Sequence, residues 1–97
     1  MIVGYVAVAG HSMSPALRDG DVLLYTTLVM PRRGDIVVAR DPRDGRRWLV
    51  KRVREVRADA LDLAGDIEGH DAGWIPRQAL VGRVVFRYWP PTRAGFL

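Results

Sequence analysis

Short apolar runs, broken at regular intervals by glycine, proline and aspartate, are what most constrain the fold of this chain. β-prone segments stand near residues 2–9, 21–27, 35–40, 47–57, 60–64 and 80–88. Between them lie the turn-forming stretches "RDGD" (18–21), "MPRRGD" (30–35), "DPRDGRR" (41–47) and "AGDIEGHDAG" (64–73). That spacing, without a sustained 3.6-residue apolar period, predicts an all-β fold of coiled antiparallel strands, a barrel or sandwich-like domain. "DPRDG", between "GDIVVAR" and "RRWLVKRV", reads as a hairpin connection. The tail "RYWPPTRAGFL" breaks at Pro90-Pro91 and is expected on the surface. A chain of 97 residues supports one modest core, so residues 1–97 read as a single domain.

Composition removes several function classes. No apolar run approaches the roughly 20 residues needed to cross a bilayer, so no transmembrane anchor is expected in this chain. The opening "MIVGYVAVAG" lacks a basic leader and reads as a first strand rather than a signal peptide. The absence of cysteine excludes disulfides, thiolate catalysis and cysteine-ligated metals, and fits a reducing, cytoplasmic compartment. His11 and His70, 59 positions apart, carry no metal-ligand spacing; no metal or other cofactor is expected. The net charge of +4 suits an acidic partner. Arg32, Arg33, Arg46, Arg47, Arg52, Arg54 and Arg57, with Trp48 nearby, are the set that single-stranded nucleic acid would use. They alternate with Asp and Glu and form no recognition motif, so nucleic acid is not the expected partner.

The chain's only two serines fall in "AGHSMSPALRDGD", residues 9–21. Ser14 suits the N-cap of a short helical turn, with Pro15 at its first position, Ala16 to Asp19 completing it and Gly20 closing it in a left-handed conformation. Nothing local requires Ser12. A catalytic serine needs a base. His11 is adjacent to Ser12 and points the other way along a strand, and His70 has no acidic orienter marked by spacing. The other known partner is lysine, which must lose its proton near neutral pH, as burial among apolar groups can bring about. Arginine cannot substitute. Of the fifteen basic residues fourteen are arginine and one is Lys51. In "RRWLVKRVREV", read with period two, Lys51 shares a face with Leu49 and Val53, whereas Arg52 faces the other way with Val50 and Arg54.

Together these stretches resemble the type I signal peptidase family, serine proteases with a Ser/Lys dyad. Gly10-His11-Ser12-Met13-Ser14-Pro15 matches the family's G-x-S-M-x-P, and Gly20-Asp21 follows it. Gly34-Asp35-Ile36-Val37-Val38 matches the "GDIVV" strand, Lys51-Arg52-Val53 the lysine box, Gly65-Asp66 half of a "GDN" box, and Gly82-Arg83-Val84 the last strand. The size and the "FRYWPP" ending look closest to the small proteases that mature nickel-type superoxide dismutase by trimming an N-terminal extension.

The resemblance implies that Ser12 attacks the scissile carbonyl, with neutral Lys51 as base and the Ser12 N–H helping to hold the oxyanion. Gly10, His11, Met13 and Pro15 would flank the oxyanion site and the substrate groove, where a peptide binds in extended form beside the strand leading into Ser12. Gly65, Asp66 and Asp71 would form the supporting loop. The family's Ser-x-Asp-Ser-Arg segment is absent here, and Asp71 stands where it has its supporting serine. A carboxylate there would hold Lys51 protonated. The alternative reading is therefore a weak or inactive peptide-binding domain of the same fold.

Overall fold

The computed structural model describes residues 2–97. Its strands are β1 (Val3–Ala7), β2 (Val22–Thr26), β3 (Ile36–Asp41), β4 (Asp44–Val56), β5 (Ala60–Ala64), β6 (Gly73–Pro76), β7 (Leu80–Trp89) and β8 (Gly95–Phe96). All adjacent strands are antiparallel, in the order β1-β2-β7-β3-β4-β5-β6, with β8 added to β7. The expected all-β domain is present, with each of the six expected strands in place.

Strand β3 is the hinge of the packing. Its run "IVVA" is buried at every position, because alternate residues enter two different cores. Ile36 and Val38 join Met13, Leu17, Leu23, Tyr25 and Val84 in one; Val37 and Ala39 join Val53, Leu61, Leu63 and Ile75 in the other. A strand covered on both faces reads as continuous apolar sequence rather than as an alternation. Strand β4 links the two halves, pairing with β3 through Trp48–Arg52 and with β5 through Arg52–Val56. The "DPRDG" hairpin closes with Asp41 opposite Asp44, and the Asp41 carboxylate accepts the Arg43 N–H at 2.9 Å.

Three local expectations are refined. Strand β6 falls partly in the stretch read as a turn; Ile75 enters the core while Trp74 stays outside beneath Arg57, whose guanidinium carbon lies 4.2 Å from the ring centroid. The tail is bound to β7 through the Phe86–Phe96 edge contact at 5.1 Å. The turn after Ser12 begins earlier than its cap residues suggest: Leu17 N–H donates to the Met13 carbonyl at 2.9 Å, and no regular helix forms. Burial of Met13 and Leu17 draws the turn inward. The next N–H, on Arg18, is taken by the Asp21 carboxylate at 2.9 Å, which ends it. Gly20 closes the turn at φ +87°, as expected of glycine there.

Candidate active site

Residues 8–21 form a tightly tied loop that carries Ser12. Val8 N–H donates to the Asp21 carbonyl and Gly20 N–H to the Val8 carbonyl, both at 2.8 Å, so the two ends of the loop are stitched together. Within it, Gly10 N–H donates to Asp19 Oδ1 at 2.8 Å. From outside, Asp21, only 2% exposed, accepts Arg93 Nη1 at 3.1 Å and Arg87 Nη1 at 3.3 Å. Arg87 Nη1 also holds the Ala16 carbonyl at 2.8 Å. Among the described residues the Ser12 backbone N–H has no hydrogen-bond acceptor, whereas its carbonyl accepts Ile67 N–H at 3.1 Å. A donor held on a rigid loop without a protein partner is what oxyanion stabilisation requires.

Lys51 stands on β4 opposite Val37 and on the same face as Val53, both buried core residues, and is itself 9% exposed. Its surroundings match the face read from the sequence. Burial pushes its ammonium below an ordinary lysine; the Asp71 carboxylate opposes that, and the Arg47 guanidinium adds to it. Ser12 and Lys51 line one cavity of about 440 Å³, bounded by residues 6–13 on one side and 47–51 on the other, with His70 at the end. Gly10, His11 and Met13 also line it; Pro15 does not. Met13 combines that position with a place in the core.

The 65–71 loop closes the site from below. A methyl group at Gly65 would lie 2.9 Å from the Ser12 carbonyl oxygen and equally close to the His70 Cβ and carbonyl oxygen. Only glycine lets the loop pack this closely against Ser12. Asp66 points away from the cavity and takes Arg52 in a bidentate pair, Nε to Oδ1 at 2.8 Å and Nη2 to Oδ2 at 2.9 Å. That locks β4 to the loop one residue beyond Lys51. Asp71 accepts Arg54 Nη1 at 2.8 Å, and Arg54 also grips Asp62 at 2.8 and 3.0 Å. Hydrogen bonding to Arg54 holds the Asp71 carboxyl below the usual carboxylate range. The carboxylate that threatened to keep Lys51 charged is thus compensated by a guanidinium, and the Lys51 shift remains downward.

A family model described as signal peptidase, peptidase S26, matches residues 1–67, which include Ser12, Lys51, Gly65 and Asp66. This chain belongs to that family. Among similar proteins, mitochondrial inner membrane protease subunit 1 of Homo sapiens is 26% identical over 123 residues, covering 97% of this chain and 74% of that protein. The mitochondrial ATP-independent inner membrane protease subunit 1a of Arabidopsis thaliana is 28% identical over 128 residues, covering 99% and 76%. Signal peptidase I of Streptococcus pneumoniae (serotype 4) is 41% identical over 61 residues, covering 63% of this chain and 29% of that protein. A signal-peptidase-like protease acting on a protein substrate is the reading these support. Among the described residues no helix is long and apolar enough to cross a membrane.

Sequence reasoning named Gly10, His11, Ser12, Met13 and Lys51 of the cavity wall; it considered Arg47 and Trp48 only for nucleic acid, and His70 only as a triad base or metal ligand. Period two does place Arg47 on the Lys51 face; what it does not give is which strand faces β4 across the cavity. The Arg54–Asp71 pair spans 17 residues and carries no local signal.

Proposed function

We propose that this signal-peptidase-family chain is a serine endopeptidase in which Ser12 is the nucleophile and neutral Lys51 the general base. The observation that carries the reading is that the only lysine, buried and biased toward its neutral form, lines the same cavity as Ser12. Ser12 Oγ attacks the scissile carbonyl carbon while its proton passes to Lys51 Nζ. The oxyanion is met by the Ser12 N–H. Collapse of the tetrahedral intermediate transfers that proton from Lys51 to the leaving amine and leaves an acyl-enzyme. Lys51 then deprotonates the water that releases Ser12.

The substrate is an extended peptide in the groove, and the product is a precursor shortened at its N-terminus. Nickel-type superoxide dismutase, to which the sequence resemblance points, is the precursor to test first. A cytoplasmic setting, from the cysteine-free sequence, is part of the same proposal. The alternative of an inactive peptide-binding domain rested on Asp71, and Arg54 already occupies that carboxylate. Incubating the precursor with the wild type and with Ser12→Ala, and reading the new N-terminus by mass spectrometry, tests the proposal. The wild type should produce one defined cut and Ser12→Ala none; equal cutting by both would overturn it.

A further inference from the structure

The groove that holds Ser12 and Lys51 has no acidic residue in its wall, yet it contains Arg47. Arg47 is exposed and has no hydrogen-bond or ion-pair partner among the described residues. Arg52, Arg54, Arg83, Arg87 and Arg93 are each held by a carboxylate. Asp41 feels the Arg47 charge, but it is buried and bonded to the Arg43 N–H. Arg47 therefore presents an unoccupied guanidinium fork, the geometry that suits a carboxylate.

Its position along the groove follows from the topology. Four antiparallel steps separate β1 from β4, so both strands run in the same direction and reach Ser12 and Lys51 at the same end. The groove extends backward from there toward Val6 on one wall and Arg47 on the other. Arg47 and Lys51 share a face of β4 four residues apart, roughly 13 Å along the strand. An extended peptide in the groove advances at nearly the same rise, so the residue beside Arg47 lies about four positions from the scissile bond.

Resting on the protease reading above, we infer that Arg47 is a specificity-determining residue that selects substrates with an Asp or Glu three to five positions from the cut. Charge recognition and base chemistry are kept apart by this placement. A carboxylate at the scissile bond would hold Lys51 protonated. At the far end of the groove it meets a guanidinium that compensates it.

The test digests a proteome-derived peptide library with the wild type, Arg47→Ala and Arg47→Glu, and maps the cut sites by mass spectrometry. The wild type should favour Glu over Lys at one such position by about tenfold in kcat/KM, an advantage that shrinks at high salt. Arg47→Ala should bring the ratio near one, and Arg47→Glu should invert it. Cut sites without acidic enrichment, or enrichment unchanged in Arg47→Glu, would overturn the inference. A second arm measures binding of Glu- and Lys-bearing alanine-frame peptides to Ser12→Ala, with and without Arg47→Glu. If the wild type cuts nothing, the protease reading falls and this arm decides alone: tighter Glu-peptide binding that Arg47→Glu reverses supports the inference, and equal binding overturns it.

Discussion

Gly65→Ala is the most discriminating single substitution. The added methyl would lie 2.9 Å from three atoms, the Ser12 carbonyl oxygen and the Cβ and carbonyl oxygen of His70, where ordinary contacts run 3.4–4 Å. At least half an ångström of relief is needed, and two of the three atoms are backbone. Gly65 is not among the glycines with positive φ, so alanine meets no backbone penalty and the effect is purely steric. Overpacking of this kind costs about 1–3 kcal/mol of stability, a fall of roughly 5–15 °C in a domain this size. Misplacement by an ångström can cost about 100-fold in rate, so kcat should fall by between about 10- and 100-fold. Gly45→Ala is the control, since its methyl would meet nothing within 4 Å. Thermal unfolding and steady-state cleavage of one peptide by the three proteins make the comparison. A Gly65→Ala protein that cleaves at the wild-type rate would refute the packing of this loop against Ser12.

Other consequences follow from the same geometry. The cleavage rate should rise with pH along a limb below that of an ordinary lysine, and Asp71→Asn should move the limb to lower pH by removing the carboxylate that favours the ammonium; a pH–rate profile of both proteins checks this. Because Lys51 titrates lower folded than unfolded, the unfolded chain binds more protons between those two values, and stability should rise with pH through that window. Lys51→Met should flatten that dependence and stabilise the neutral-pH protein by about 1 kcal/mol while abolishing cleavage, measured by denaturant unfolding. Asp21→Ala, which leaves the Arg87 and Arg93 guanidinium groups unpaired, should destabilise by about 3 kcal/mol in the same assay.

Much of this architecture could be read before any coordinates. The strand expected near 35–40 is β3, and the parity of "LVKRV" put Lys51 with Val53 on the inward face of β4. Gly10, Ser12 and Gly65 were marked by motif. Other features arise only on folding. Strands β6 and β8 span four and two residues, too few for an alternation to stand out. Arg93 reaches Asp21 across 72 residues, so no local pattern predicts that it braces the Ser12 loop. The concern about Asp71 was sound chemistry on an incomplete neighbourhood, because Arg54 enters the site from tertiary pairing alone.

The direct test of the Ser12/Lys51 dyad exploits the absence of cysteine from the chain. In Lys51→Cys the new thiol is the only one present, and aminoethylation restores an amine at that position and nowhere else. Single-turnover cleavage should be lost in Lys51→Cys, return in large part after aminoethylation, and stay absent when Ser12→Ala is combined with the same treatment. Wild-type cleavage by unmodified Lys51→Cys would contradict the dyad.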